Sequence, residues 1–397
     1  MLGFIIAPFF VALLIYVFLR SIRFIETYKI RGTKIIEIIF GLILFGGLCC
    51  MIVGFLIPTG LSLKRTFTRI GYYWLGVILY FFVGLVIALV CRLLVWLFAK
   101  NKGYNKNLAR KITTLFVAIF TTLMSIYGII NAHNLRVTNY EVISNKKSNL
   151  DELNIVLISD LHLGYNDGLK EMKDMASKIN SLEPDVVILA GDIFDNEYEA
   201  IENSEEIAEV LYSISSKYGK YAVYGNHDIQ EKIFMGFTFN WSKQSKQKAV
   251  ADDRMNKFVQ NSGFTLLYDS YEMIEDIYVY GRPDYHKVNF GNSSRKSASD
   301  ITSNLDKDHP IICVDHQPGE LYELAKAGVD LDLSGHTHNG QIWPGTISIN
   351  WVWDNAYGLK QIDNMISIVT SGVGLFGVNM RTGCYPEIVN IKMVFKK

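Results

Sequence analysis

Four long apolar runs, separated by short polar segments, occupy the first third of the chain. They cover residues 2–19, 35–57, 72–98 and 112–130, and each approaches the roughly 20 residues that cross a hydrocarbon core as a helix. The first run has no basic start and no small-residue cleavage site, so we interpret it as a retained helix and not as a signal peptide. Residues 1–132 are therefore predicted to be an all-α transmembrane region of four helices.

After residue 153 the pattern changes to short apolar strands that alternate with helices. Strands are predicted at 154–159, 185–190, 221–224, 277–280, 310–314, 330–334, 367–370 and 387–393, and apolar positions between 169 and 182 trace one helical face. This alternation is typical of an α/β domain with a buried, largely parallel sheet, predicted here for residues 153–397. Residues 133–152 are polar and are predicted to be a linker, with room for a short strand at 135–143.

Charge divides the chain at nearly the same place. Basic and acidic side chains are equal in number, 39 each, but residues 1–149 carry 17 basic and 3 acidic ones, and residues 150–397 carry 22 and 36. A basic, apolar part followed by an acidic part is typical of a membrane anchor that carries a water-exposed domain, and it argues against nucleic acid as a partner. The five cysteines follow no disulfide or zinc-ribbon spacing.

The basic residues of the first part also predict an orientation in the membrane. Five of them lie between the first and second apolar runs, five between the third and fourth, and only Lys64, Arg65 and Arg69 in the middle loop. Because cytoplasmic loops are enriched in Lys and Arg, we expect the first and third loops in the cytoplasm. The protein is thus predicted to be a multi-pass protein of the cell membrane whose acidic domain is extracytoplasmic.

In the acidic part, chemically capable side chains recur directly after predicted strands. In chain order they are Asp160, His162, Asp192, Asp195, Asn226, His227, His316, His336 and His338. Taken singly, residues such as Asp192 and Asn226 could be turn residues beside a glycine. Five of the chain's eight histidines belong to this set, however, which random placement does not readily produce. Since functional residues of such sheets gather where strands end, we expect the set to converge on one rim.

The composition of this set indicates metal chemistry. Asp, Asn and His without Cys suit hard or borderline divalent ions such as Mn, Fe or Zn. Two ions about 3.5–4 Å apart, bridged by a shared carboxylate, form the standard clamp for phosphate-ester hydrolysis, and they lower the pKa of a bridging water until hydroxide exists at neutral pH. The predicted cofactors are therefore two divalent metal ions.

The same motifs carry a resemblance to a known family. Asp160-Leu161-His162, the motif from Gly191 to Asp195, the motif from Gly225 to Asp228, His316 and the motif from Gly335 to His338 stand in the usual order of the calcineurin-like metallophosphoesterase superfamily, over about residues 150–397. The sequences GHTHNGQIWPG and GVGLFGVNMRTGCYPEI resemble its membrane-anchored bacterial branch, which includes lipid-directed pyrophosphatases. The apolar part adds a resemblance to transmembrane proteins with such a domain. The implied fold is a two-sheet, four-layer sandwich.

The resemblance also implies a role for each residue of the set. It gives the first metal Asp160, His162 and His338, and the second metal Asn226, His316 and His336, with Asp192 bridging the two. His227 resembles the catalytic histidine that stabilises or protonates the leaving oxygen, and Asp195 resembles the acid that orients it. A histidine held by a carboxylate is a plausible general acid near neutral pH.

Other residues fit the resemblance less closely. Protein phosphatases of the superfamily follow the second motif with an Arg that grips phosphate, whereas Asn196 stands here, which disfavours a protein phosphatase. For the spare cations Arg282 and Arg381 we expect surface pairing rather than substrate contact. Asp228 could serve only as a turn or capping residue, and the aromatic stretch 233–241 is interpreted as core packing, with a bilayer-facing rim as the alternative.

The sequence thus predicts a metal-dependent phosphoesterase that hydrolyses a phosphodiester or pyrophosphate bond in a membrane-associated substrate, lipid-linked substrates included. The reaction would use a dinuclear metal centre and a bridging hydroxide. Two alternatives stay open, a phosphomonoesterase and a non-catalytic sensor of a phosphorylated ligand on the same fold. The expected partners are the phosphate-ester substrate and the lipid bilayer.

Overall fold

The computed structural model describes residues 33–99, 104–231, 252–285 and 295–396, with residues 233, 234, 237 and 238 and separate positions between 12 and 26. The chain forms two compact units, Met1–Gly128 and Ile129–Lys397. The aromatic stretch 233–241 and the first predicted span lie largely outside the described residues.

The first unit is built from long apolar helices. They are α1 (Thr33–Leu56), α2 (Ser62–Ala99) and α3 (Lys106–Ala132), and α3 continues into the second unit. By length and composition these three could cross a membrane, so the described part of the chain has three candidate spans where we predicted four. The middle loop is also shorter than expected, because α2 begins at Ser62 and takes in the basic residues Lys64, Arg65 and Arg69.

Small residues let α1 and α2 approach closely. A Cβ atom on Gly47 would lie 2.1 Å from the Trp74 ring, and one on Gly71 would lie 2.3 Å from Met51 Cγ. Small residues at helix contacts are the usual means by which membrane helices pack, since lipid offers no hydrophobic driving force between them.

The second unit contains two six-stranded mixed sheets. The first has the strand order β1-β14-β2-β3-β4-β7, and the second has the order β12-β13-β11-β10-β9-β8. The strands of the first sheet are β1 (Arg136–Lys147), β2 (Glu152–Ile158), β3 (Val186–Ala190), β4 (Lys220–Val223), β7 (Thr265–Leu266) and β14 (Glu387–Lys396). Those of the second are β8 (Ser270–Ile274), β9 (Ile277–Gly281), β10 (Ile311–Val314), β11 (Leu331–Ser334), β12 (Gly358–Ile362) and β13 (Met365–Val369). A separate hairpin joins β5 (Ile233–Phe234) and β6 (Phe237–Thr238).

Parallel pairing dominates the centre of each sheet. In the first sheet β2, β3 and β4 are mutually parallel neighbours, and in the second β9, β10, β11 and β13 are. Their residues are almost continuously buried, as expected for strands covered on both faces. Antiparallel strands, β14 beside β2 and β12 beside β13, complete the mixed sheets.

Three apolar clusters hold the layers together. One cluster contains side chains of both sheets, such as Leu157 of β2 and Ile312 of β10, so the sheets pack face to face. A second cluster packs the first sheet against α4 (Leu169–Asn180), α5 (Ser204–Tyr212) and α6 (Asp253–Asn261). A third packs the second sheet against α7 (Ala298–Thr302) and α8 (Leu321–Ala327). Helices thus lie outside two inner sheets, which is an α/β architecture.

The segment predicted as a linker contributes to the first sheet. Residues 136–147 form β1, which pairs in parallel with β14 from Arg136 onward. The chain therefore passes from the end of α3 at Ala132 into the sheet within a few residues.

Candidate metal centre

The predicted residues lie at the carboxyl ends of parallel strands. Asp160 and His162 follow β2, and Asp192 follows β3. Asn226 and His227 follow β4, whereas the remaining histidines follow strands of the second sheet: His316 after β10, and His336 and His338 after β11. Because the two sheets face each other, these loops meet at one edge of the unit.

Two clusters of acids and imidazoles form there, each with ligand atoms within 4.8 Å of one another. The first contains Asp160, His162 and His338, with the two histidine Nε2 atoms 3.1 Å apart and His338 Nε2 3.4 Å from Asp160 Oδ1. The second contains Asp192, His316 and His336. Each cluster is a set of donors that could hold a divalent ion.

Asp192 lies between the two clusters. Its Oδ2 atom is 3.1 Å from His316 Nε2 in the second cluster and 3.8 Å from His162 Nε2 in the first. Its other oxygen, Oδ1, accepts a hydrogen bond of 2.8 Å from the His227 backbone amide. The carboxylate thus lies close enough to both clusters to contribute a ligand atom to each.

Two further observations show that the donors fit metal ions. The Oδ1 atom of Asn226 is buried and accepts no hydrogen bond from the described residues, which is costly unless another partner binds it. His316 Nδ1 lies 2.8 Å from the Ala190 carbonyl, which can only accept, so Nδ1 carries the proton and Nε2 presents its lone pair to the second cluster.

The backbone of the cluster residues is unusual. Five of them, Asp160, His162, Asp192, His336 and His338, adopt positive φ values between 44° and 69°. Residues other than glycine rarely adopt this left-handed region, and those that do are concentrated at functional sites. Close approach adds a further constraint, because a Cβ on Gly225 would lie 2.2 Å from Asp192 Oδ1.

Comparisons with known proteins agree with this geometry. Residues 153–340 match the family model described as calcineurin-like phosphoesterase. The chain is 28% identical over 383 residues to the transmembrane protein with metallophosphoesterase domain of Danio rerio, covering 91% of this chain and 80% of the relative. For the protein of the same description in Bos taurus the identity is 27%, with 76% and 67% covered. An uncharacterized metallophosphoesterase of Campylobacter jejuni is 26% identical, with 80% and 76% covered.

Residues 153–340 thus carry a calcineurin-like phosphoesterase domain. The chain is accordingly a metal-dependent phosphoric ester hydrolase, and its apolar helices agree with the transmembrane description of its animal relatives.

Within this phosphoesterase domain, the surroundings of His227 differ from what the sequence led us to expect. Asn196, not Asp195, lies beside His227: its Oδ1 makes a short hydrogen bond with His227 Nδ1, and its Nδ2 donates to the Ile229 carbonyl at 3.1 Å. Asp195 instead places Oδ1 3.7 Å from His162 Nδ1, behind the first cluster. The side chain hydrogen-bonded to His227 is therefore that of Asn196 and not that of Asp195, for which the orienting role was predicted.

Asp228 joins two loops of the phosphoesterase site. Its Oδ1 accepts from the Phe194 amide at 2.9 Å and its Oδ2 from the Gly225 amide at 2.6 Å. The side chain therefore fixes the loop of Asp192 to the loop of Asn226. This agrees with the turn-residue interpretation of Asp228.

The packing of acids against imidazoles shifts their titration. Although burial alone would lower it, Asp195, Asp192 and Asp160 raise the pKa of His162 to about 9. Burial opposes the ionisation of Asp192, but His316 and His227 outweigh it and hold the pKa of Asp192 well below its usual range. Burial also lowers the pKa of His227.

Both spare cations are buried, so the surface pairing expected for them is wrong. Arg282 donates to Asp315 Oδ2 at 3.2 Å and to Glu320 Oε2 at 2.8 Å, and both its exposed fraction and that of Arg381 are 0%. Arg381 donates to the carbonyls of Ser371 and Gly374. The partners of Arg282 lie 33 and 38 residues away in the sequence, and those of Arg381 lie 10 and 7 residues away.

Two aromatic residues near the cluster histidines were not anticipated. The ring of Phe376 lies 4.8 Å from that of His227 and 5.4 Å from that of His162, between centroids. The Trp353 ring lies edge-on to His336 at 5.4 Å. Phe376 lies within the motif GVGLFG, which was the available signal for it, whereas Trp353 lies eight residues after the motif GQIWPG.

Proposed function

We propose that the domain hydrolyses a phosphodiester or pyrophosphate bond in a membrane-associated substrate, lipid-linked substrates included, with two divalent ions as cofactors. The observation that carries this proposal is the position of Asp192, whose carboxylate lies within 3.8 Å of a histidine in each cluster. One carboxylate shared by two donor clusters is the arrangement that a pair of ions requires.

The proposed ligands follow from the two clusters. Asp160, His162 and His338 would hold one ion, His316, His336 and the orphan Asn226 oxygen the other, and Asp192 would contact both. When bound, the ions supply positive charge to the phosphoryl oxygens and make an attacking water acidic enough to react at neutral pH.

His227 is proposed to donate a proton to the leaving oxygen. The Asn196 amide is oriented by its own bond to the Ile229 carbonyl, so its oxygen faces His227 and can only accept. This fixes the proton on His227 Nδ1 and makes Nε2 the nitrogen that gains and loses a proton. The hydrogen bond from the His227 amide to Asp192 keeps this imidazole next to the cluster residues.

We further propose that the protein is a multi-pass membrane protein with an extracytoplasmic catalytic domain. The support is the excess of basic residues in the first and third loops of the apolar part. Reporter enzymes fused after Lys397 test it: a reporter active only in the cytoplasm would contradict this orientation.

The test of the reaction is an assay of the purified full chain on an aryl diester, an aryl monoester and a lipid pyrophosphate. Asp192→Asn and His227→Ala are expected to abolish hydrolysis, whereas the exposed Asp308→Asn and the partly exposed His309→Ala keep it. Near-normal turnover in either site variant refutes the assignment. Preference for the monoester would favour the phosphomonoesterase, and full metal occupancy without hydrolysis of any substrate would favour a sensor.

A further inference from the structure

Exposed apolar side chains stand beside the metal centre. They belong to a short helix, α9 (Gly345–Ser348), to the 3-10 turn Ile349–Trp351 that follows it, and to the next residue, Val352. The exposed fractions are 53% for Ile347, 81% for Trp351 and 71% for Val352. We call residues 345–353 the tryptophan segment. Exposed apolar clusters of this kind mark surfaces that contact another apolar phase.

The tryptophan segment is adjacent to the metal centre. It ends at Trp353, whose ring contacts the ring of His336, a member of the second cluster. The segment also begins five residues after the 3-10 turn His338–Gly340. Whatever covers the segment therefore lies close to His336, which is partly exposed.

The tryptophan segment and the residues just before it carry no charged side chain, although the rest of the domain is rich in them. No Asp, Glu, Lys or Arg occurs between Gly340 and Trp353, although residues 150–397 carry 36 acidic and 22 basic side chains. An uncharged turn enters a bilayer interface without the desolvation cost of an ionised group. Tryptophan is enriched at the headgroup level, where its ring is apolar and its N–H can hydrogen-bond.

The loop Arg381–Cys384 is hydrogen-bonded both to the end of the last apolar helix and to a residue just before the tryptophan segment. In the final turn of α3, Asn131 Nδ2 donates to the carbonyls of Arg381 at 3.1 Å and Cys384 at 2.8 Å. Between those two residues, the Thr382 carbonyl accepts from the Trp343 amide at 2.9 Å, just before the tryptophan segment begins. The segment is thus tied to the point where the chain leaves a candidate membrane span.

We propose that the tryptophan segment inserts into the interfacial layer of the lipid bilayer and holds the His336 side of the metal centre at the membrane surface. This goes beyond hydrolysis, since it assigns a lipid contact to Ile347, Trp351 and Val352 that does not depend on turnover. The bilayer is favoured over a soluble protein because the segment carries no charge and because the loop next to it, Arg381–Cys384, also binds Asn131 at the end of a candidate membrane span.

The test uses the full chain in lipid nanodiscs that hold one copy each, prepared with and without bromine on the acyl chains. Subtracting the emission of Trp351→Phe from that of the wild type isolates the emission of Trp351. We expect this emission to be blue-shifted, to lose most of its intensity to brominated lipid and to resist iodide in the buffer.

Two further variants complete the design. Tyr212→Trp adds a tryptophan at a position that is 66% exposed on α5, outside the segment, and its emission should respond to iodide and not to brominated lipid. The double variant Trp351→Phe with Val352→Trp moves the tryptophan by one position and should restore a component that brominated lipid quenches.

Quenching of Trp351 by iodide, without quenching by brominated lipid, would overturn the proposal. In single-copy discs that result would leave a second copy or a soluble protein as the occupant. The measurement needs no substrate, so an inactive protein whose Trp351 is quenched by lipid would contradict the proposed function and not the lipid contact. Asp192→Asn should give the same quenching as the wild type.

Discussion

Substitutions of Asn196 and Asp195, which contact two different histidines, separate the positioning of the proton donor from metal binding. Asn196 is fully buried, and its side chain bonds to His227 Nδ1. Asn196→Ala removes that partner and leaves the His227 ring unoriented. The loss of such a supporting hydrogen bond typically lowers activity by about 10–100-fold. This is less than the roughly 10²–10⁴-fold that a general acid itself typically contributes to the rate. We therefore expect kcat to fall by about 10–100-fold with metal content unchanged.

Asp195→Asn should produce a different defect. Its carboxylate lies 3.7 Å from His162 Nδ1, so neutralising it weakens the support of a proposed metal ligand. Removing an outer partner of a metal-binding histidine typically lowers metal affinity by about 10–100-fold. Activity should fall at low metal concentration and recover when metal is added in excess.

The assay measures kcat on an aryl diester at increasing Mn concentration, with metal content determined on the same samples. Recovery of Asp195→Asn, but not of Asn196→Ala, at high metal is the expected pattern. The opposite pattern, in which Asp195→Asn is insensitive to metal and Asn196→Ala resembles the wild type, would refute this reasoning and return the orienting role to Asp195.

Other predictions concern packing and pH. Gly225→Ala should abolish metal binding and hydrolysis, since its Cβ would lie 2.2 Å from Asp192 Oδ1; Gly319→Ala, with no atom within 4 Å of its Cβ, should resemble the wild type in the same assays. Burial, with Asp315 adding to it, raises the pKa of Asp332 to about 7, so the folded state keeps a proton that the unfolded chain has lost. Stability should therefore fall as pH rises from about 4 to about 7, by at most about 4 kcal/mol from this group. Asp332→Asn should flatten that fall in melting midpoints measured across this range, and an unchanged pH profile would contradict it.

The candidate site was predictable because its residues follow strands. Apolar stretches such as 185–190 and 310–314 identify β3 and β10 by composition alone, and the next polar residues are Asp192 and the Asp315–His316 pair. Parallel strands then bring these residues to one edge, whatever the length of chain between them. The position of each ligand thus depends on where its strand ends, which the apolar pattern shows.

The partners of individual side chains were less predictable. Asn196 adopts a φ of 58°, and this left-handed turn gives it, rather than Asp195, the place beside His227. A pattern of residue types does not encode such a turn. Edge strands were missed for a related reason: β8 and β12 are mostly exposed, so their polar residues do not show the apolar runs by which buried strands are recognised.

The boundaries of the apolar helices also depended on more than hydropathy. The helix α2 starts at Ser62, well before the apolar run at 72–98, because Lys and Arg are good helix formers and continue the helix beyond the hydrocarbon-like stretch. The basic residues that we assigned to a loop therefore lie on a helix.

The central claim is that two ions share Asp192, and metal analysis of the purified full chain tests it most directly. We predict two ions per chain in the wild type, two in His227→Ala, and loss of metal in Asp192→Asn. A fully active wild-type protein with one ion or none per chain, or an Asp192→Asn variant that keeps both ions, would contradict the account.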